Sequence, residues 1–319
     1  MPRRQEAHHA IAMITTVTLN PMVDKTVTVD ALRPGVIRAS RMELAVGGKG
    51  VNVARQLSRL GVAVTATGLW GGETGTLLER LMSEEGIRHE FFPIAALTRE
   101  GVTYRTADGG TTAVFEPSHR VTSSEAAAFL AWIIHHLGSM EWLVCSGSSP
   151  SAECDGIYRE LIGAAGRAGV RTVLDSYGIA FRNGLLSRPT LLKPNRQEYE
   201  ETFGTALRAE ADFHDAIRSL LRTASMVVMT DGASPCYAGS AAGVWKYTPP
   251  HPPSINPTGS GDCMVAGILY GLTQAWPFEE SVRFGVAAGS ANAGTWEVAA
   301  CSLEEIRGHL AHVGMHRLE

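Results

Sequence analysis

The chain carries Asn256-Pro257-Thr258-Gly259-Ser260-Gly261-Asp262 directly ahead of the apolar run Cys263-Met264-Val265-Ala266-Gly267-Ile268-Leu269, a glycine-rich turn that feeds a helix. Two glycines and two hydroxyl residues let bare backbone curl against an anion. The helix that follows directs its unpaired N–H groups and positive dipole end at the same place. An aspartate at an anion site would repel its ligand. The repulsion has a use if Asp262 accepts the proton of an attacking hydroxyl while Gly259, Ser260 and Gly261 hold a transferring phosphoryl group. The competing reading is a helix N-cap, where Ser and Asp are both frequent.

Upstream of this turn, short apolar strands at 142–145, 172–174, 191–192 and 226–229 alternate with helical stretches, and Thr122-Ser-Ser-Glu125 reads as a capping box opening a helix to about His136. That alternation predicts a mostly parallel sheet wrapped by helices. Further upstream, 14–19 reads as a first strand, 50–60 as a helix, 62–68 as a buried strand and 74–85 as a helix. Two polar β excursions, about 24–46 and 91–116, interrupt the rhythm, the second containing a hairpin turn at Asp108-Gly109-Gly110. They are expected to meet as a small lid. After the turn, helices are expected at 261–273, 278–295 and 303–312. No internal repeat or linker divides the chain, so one α/β domain over 13–319 is expected, with 1–12 as a frayed tail.

The 319 residues are 45% hydrophobic, which is ample for a packed core, and the formal net charge is −4. That balance offers no basic footprint for nucleic acid or an anionic membrane, and it suits a small-molecule partner. Five scattered cysteines (Cys145, Cys154, Cys236, Cys263, Cys301) form no CxxC pair, which points to a reduced cytoplasmic protein without a zinc site. No apolar run approaches the roughly 18 to 20 residues of a membrane span.

Gly47-Gly48-Lys49-Gly50-Val51-Asn52 joins a strand to a helix. Glycine follows Lys49 where a Walker A loop requires Ser or Thr, and GxGxxG is not matched either, so a nicotinamide-binding reading is weak. The turn allows close backbone approach by a substrate, with Lys49 and Asn52 as cation and amide; a solvated lysine on a tight turn is the plainer alternative. Asp24 lies just past the first strand, where a carboxylate can accept hydrogen bonds from sugar hydroxyls. Arg99 can serve as a bidentate phosphate clamp. In Lys193-Pro194-Asn195-Arg196-Gln197-Glu198, Asn195 and Glu198 have the spacing of a capping box, or could organise water around a magnesium ion. Thr230-Asp231-Gly232 ends another strand in a turn suited to close approach by nucleotide phosphates.

Five segments in order carry a resemblance: Thr18-Leu19-Asn20-Pro21 with Asp24, 47–55, Lys193-Pro194-Asn195 with Glu198, Gly259-Ser260-Gly261-Asp262, and Ala287-Ala288-Gly289-Ser290-Ala291. Together they resemble the PfkB (ribokinase-like) carbohydrate kinases, in particular the hexose-phosphate branch with 1-phosphofructokinase and tagatose-6-phosphate kinase. The resemblance implies a ribokinase-like three-layer sandwich with a β lid that mediates homodimerisation. It implies ATP- and Mg2+-dependent phosphorylation of a ketohexose phosphate, giving fructose 1,6-bisphosphate or tagatose 1,6-bisphosphate. A 6-phosphofructokinase, another sugar or nucleoside kinase, or a sugar-phosphate-binding regulator are the alternatives. By resemblance, Asp262 is the base and Gly259, Ser260 and Gly261 the anion hole. Asp24, Gly48, Asn52 and Ser148 hold the sugar, and Lys49 and Arg99 meet its phosphate. Lys193, Asn195, Thr230, Gly232 and Asn292 line the nucleotide, with Glu198 acting through magnesium-bound water. The sequence departs from the branch on the sugar side: Gly101 replaces an asparagine, Ser146-Gly147-Ser148-Ser149-Pro150-Ser151-Ala152 replaces SGSLPPG, and Val36 takes the place of a lid lysine, with Arg38 nearby.

Overall fold

In the computed structural model, which describes residues 14–250 and 254–319, strand β1 (Ile14–Thr18) is buried at every position. The tail expected over 1–12 lies outside the described residues. Continuous burial of a β-branched strand marks the middle of a parallel sheet covered on both faces. The chain then leaves that sheet. β2 (Met22–Val29) and β3 (Arg41–Gly47) form an antiparallel pair with mostly half-exposed or exposed residues. It returns through α1 (Lys49–Arg59), β4 (Val64–Trp70), α2 (Gly72–Glu84) and the two-residue β5 (Phe92–Pro93). A second excursion follows in β6 (Glu100–Thr106) and β7 (Thr111–Phe115), the expected hairpin.

From there helices and strands alternate: α3 (Ser123–His136), β8 (Trp142–Ser146), α4 (Ile157–Arg167), β9 (Arg171–Asp175), α5 (Gly178–Leu185), β10 (Leu191–Leu192), α6 (Arg196–Phe203), α7 (Glu210–Leu220) and β11 (Met226–Met229). The chain closes with β12 (Cys236–Ser240), β13 (Gly243–Thr248), α8 (Ser260–Thr273), α9 (Phe278–Ala293), α10 (Leu303–Leu310) and β14 (Gly314–Arg317). Thr122 opens α3 with the capping box read in the sequence: its hydroxyl accepts from the Glu125 amide while Glu125 accepts from the Thr122 amide.

The large sheet runs in the order β14-β13-β12-β11-β10-β9-β8-β1-β4-β5, parallel from β11 to β5 and antiparallel from β11 to β14. One face packs on α1, α2, α8, α9 and α10, and the other on α3, α4, α5, α6 and α7, each with its own apolar cluster. This is the expected α/β class with three layers. The antiparallel extension is new. Its first strand, Cys-Tyr-Ala-Gly-Ser, is short and rich in small residues of low strand propensity, so its pattern is faint.

The two excursions do meet, in a separate sheet ordered β3-β2-β6-β7 with β2 and β6 parallel, but 92–93, expected at the start of the second excursion, pairs with β4 in the large sheet instead. Its register places Asp24, Thr26, Glu43, Thr103 and Arg105 on one face and Val27, Met42, Leu44, Val102, Tyr104 and Val114 on the other. No helix among the described residues is long and apolar enough to cross a membrane.

Candidate active site

The C-terminal ends of β1, β9, β10 and β11 and the N-termini of α1 and α8 open into one cleft of about 930 Å³. Ligands of open parallel sheets bind at that edge, because the connecting loops diverge there. Of the candidate catalytic and binding residues, all but Asp24 and Asn292 line the cleft.

Gly259 stands at the N-cap of α8 with φ +80°, a left-handed conformation. A Cβ there would lie 2.5 Å from Val298 Cγ1, so glycine is required twice over. Asp262 is therefore not the cap. It is the third residue of the helix, and its carboxylate accepts from Asn52 Nδ2 at 2.7 Å. The Asn52 Oδ1 is held by Arg55 Nη1 at 2.7 Å, which fixes the amide so that its NH2 faces Asp262. The Gly261 and Asp262 amides fall in the first helical turn, where N–H groups have no intrahelical acceptor. Lys193 Nζ sits so close to Gly261 that a Cβ there would be 3.3 Å from it. Backbone donors and a cation thus converge beside a carboxylate.

That carboxylate is 6% exposed. Burial, with the nearby Asp175 charge, pushes its pKa up to about 7, against the opposing pull of Lys49, Asn52 and Lys193. A base near neutrality is better matched to proton transfer than an ordinary carboxylate.

Behind the anion turn lies a chain of charges. Lys49 bonds Asp175 Oδ1 at 3.1 Å and Glu198 Oε1 at 2.5 Å, and Lys193 Nζ lies 3.4 Å from the same Asp175 oxygen. Asp175 is fully buried, which opposes its charge, yet the two lysines outweigh that and hold its pKa below the usual range. Burial likewise opposes the charge of Lys49, but Asp175, Glu198 and Asp262 outweigh it and raise its pKa. The sequence reading placed Lys49 on a sugar phosphate; the structure pairs it with two carboxylates instead, because a buried Asp175 needs counter-charges. Glu198 also completes the capping box of α6, its Oε2 accepting from the Asn195 amide at 2.9 Å while Asn195 Oδ1 accepts from the Glu198 amide at 2.8 Å.

In the same cleft, Asn20 Nδ2 donates to Ser118 Oγ at 2.8 Å and to Ser148 Oγ at 3.2 Å. Asn20 Oδ1 and Arg99 Nε are buried and have no hydrogen-bond partner. Burial lowers the Arg99 pKa from its ordinary value, with Tyr177 acting the other way. His119, 5% exposed, stands behind them with a ring nitrogen near the Leu19 carbonyl but aligned on no acceptor. Burial and the Arg99 charge push its pKa down to about 4, so it is neutral.

Asp24 stands on the inner face of the small sheet, half-buried, with a long 3.4 Å bond from Thr103 Oγ1; burial raises its pKa while Thr103 and Arg105 act to lower it. Asn292 lies behind the anion turn rather than along the cleft. Its Nδ2 donates to Thr258 O at 2.8 Å and Ser260 Oγ at 3.1 Å, and its Oδ1 accepts from the Ala299 amide at 2.8 Å. It braces the turn from inside. Asp175, Tyr177, Arg55 and His119 went unnoticed as site residues; only Asp175 left a usable signal, as a carboxylate ending a buried strand.

The pfkB family carbohydrate kinase profile matches residues 14–305. The chain is a PfkB-family carbohydrate kinase. A 1-phosphofructokinase of Bacillus subtilis (strain 168) is 32% identical to it over 283 residues, 88% of this chain and 92% of the relative. The phosphofructokinase-2 from Escherichia coli in complex with fructose-6-phosphate superposes with a TM-score of 0.86 at 28% identity, covering 95% of this kinase and 99% of that chain. The ribokinase of Arabidopsis thaliana complexed with ribose and ATP shares the fold, with a TM-score of 0.75 at 17% identity over 94% of this chain and 99% of that one. This PfkB kinase is thus a sugar-phosphate kinase that transfers phosphate to a hydroxyl, and sugar kinases of this family use ATP.

Proposed function

We propose that this kinase transfers the γ-phosphoryl group of ATP to the primary C6 hydroxyl of fructose 1-phosphate, giving fructose 1,6-bisphosphate. The observation that carries the reading is one cleft holding both a buried carboxylate with a pKa of about 7 at a helix N-terminus and the buried, unpartnered Arg99 Nε. The first suits an alcohol acceptor and the second suits an anionic one. The likeness to a 1-phosphofructokinase supports the choice of sugar.

Asp262 takes the hydroxyl proton as the bond to phosphorus forms, with Asn52 holding the carboxylate in line. The Gly261 and Asp262 amides and Lys193 face the charge that builds on the transferring group, so most of the acceleration comes from alignment and preorganised electrostatics. Arg99, Asn20 and Ser148 hold the acceptor phosphate, and Thr230 and Gly232 face the nucleotide. For magnesium, Asp175 Oδ2 is buried without a partner and Glu198 sits beside it through Lys49. Glu198 lines the cleft and Asp175 lies buried behind it, so Glu198 would hold a largely hydrated ion through water. Bound there, magnesium would neutralise charge on the nucleotide phosphates. The apolar outer face of the small sheet, with exposed Met42, Leu44 and Val114, is the surface through which two copies would pair.

Steady-state kinetics on fructose 1-phosphate, fructose 6-phosphate, tagatose 6-phosphate, fructose and adenosine test the reading. The highest kcat/KM is expected for fructose 1-phosphate. A preference for tagatose 6-phosphate or fructose 6-phosphate would reassign the sugar, and a preference for fructose or adenosine would overturn the anionic acceptor.

A further inference from the structure

Trp296 lies in the loop between α9 and α10, 40% exposed, and is one of the places where the small sheet meets the body of the kinase, beside the packing of Val23 and Val46 into the main core and the Arg55 bond to the Val46 carbonyl. The Arg105 guanidinium of β6 stacks 4.1 Å from the centroid of its ring, with Arg41 of β3 at 6.0 Å. Its indole Nε1 donates to Glu43 Oε2 of β3 at 3.2 Å. All three partners stand on the inner face of the sheet, the face that carries Asp24, and Arg105 lies near enough to act on the Asp24 charge. A cation over an indole and a hydrogen bond from the same ring fix both the height and the direction of the contact.

The backbone of Trp296 reaches the anion turn. Asn256 Nδ2 donates to the Trp296 carbonyl at 3.0 Å, and Asn256 Oδ1 accepts from the Thr258 amide at 3.2 Å. Two residues on, Val298 packs against Gly259, and the Ala299 amide donates to Asn292, which braces Thr258 and Ser260. One residue therefore holds the sheet by its side chain and the turn by its main chain.

We propose that Trp296 is a positioning residue that couples closure of the small sheet over the acceptor to the posture of the turn at 256–262. The idea rests on the reading of the cleft as the site of phosphoryl transfer to a phosphosugar. With the sheet seated on Trp296, the turn is set for transfer and the cleft is shielded from water; with the sheet lifted, the turn loses its brace and water competes with the sugar.

Trp296→Leu is expected to lower kcat with fructose 1-phosphate at least tenfold, to leave the KM for ATP within twofold, and to raise the ratio of ATP hydrolysis to sugar phosphorylation. Trp296→Phe keeps a ring for Arg105 and should restore part of the loss. Values for Trp296→Leu within twofold of the parent, or a parallel rise in the KM for ATP, would overturn the coupling. A second measurement needs no substrate. The emission of Trp296, isolated as the difference between the parent and Trp296→Phe, should shift to the red when Arg105→Ala is introduced in the ligand-free protein. No shift would overturn the contact itself. A parent protein that phosphorylates none of the sugars would sink the assignment of function alone, and the emission measurement would still decide the contact between Arg105 and Trp296.

Discussion

Around Asp262, each charged side chain already has a counter-charge or a fixed donor, with Asp175 Oδ2 the one oxygen among them left buried without a partner: Lys49 pairs with Asp175 and Glu198, Lys193 with Asp175, and Asp262 with Asn52. Around the proposed acceptor, Arg99 Nε and Asn20 Oδ1 line the cleft and are buried without partners. An unsatisfied buried polar atom costs about 1–3 kcal/mol, and two of them side by side in a cleft suit a ligand that satisfies both. The first region is preorganised for chemistry and the second is completed by binding. Damage to the first should therefore fall on turnover, and damage to the second on acceptor affinity.

Asp262→Asn is the severest test of that division. Turnover should fall by at least about two orders of magnitude, with ATP affinity little changed, because proton acceptance is lost while the anion turn stays. Near-parental turnover would remove Asp262 as the base. Arg99→Ala comes next: the KM for the phosphosugar should rise about tenfold or more, well beyond any change for ATP, since one charge-assisted contact is lost. Equal weakening of both ligands would erase the contrast between the two regions.

A pH profile sharpens it further. Only ionised Asp262 accepts a proton, so kcat/KM should rise with pH through about 7 and level off above it. The Asp175 charge helps raise the Asp262 pKa, so Asp175→Asn should move this limb to lower pH. An unmoved limb, or one displaced upward, would show that the charge chain does not tune the base.

The smallest effect is on stability. The Asp262 pKa is raised in the folded state, so the stability linked to its neutral form is present below the unfolded value of 3.8 and is lost as pH rises through about 7. Asp262→Asn should thus raise Tm by a few degrees at about pH 8 and leave it unchanged at about pH 4. The same gain at both pH values would assign it to packing rather than charge.

How much of this was legible in the chain follows the same divide. The anion turn, the glycine turn before α1 and the capping box at Asn195 are local, so a few consecutive residues define them, and the parallel sheet follows from the βα rhythm. Side-chain direction is not local. Lys49 reads as a free cation until β9 brings Asp175 beside it, and Asn292 reads as a cleft residue until α9 buries it against the turn. His119, Arg105 and Trp296 depend on how the small sheet sits on the body, which no window of sequence encodes. Strand β12 was missed because small residues blur its alternation, whereas β13, Gly-Val-Trp-Lys-Tyr-Thr, carries strand-forming residues that were legible in the chain.

Glu198 shows what such double employment means for anyone surveying variants. One of its oxygens caps α6 and the other neutralises Lys49. A screen scored by melting temperature alone would file the position under scaffolding, and one scored by product formation alone would file it under chemistry. Glutamine, which can keep the cap while surrendering the charge, is the replacement that tells the two apart.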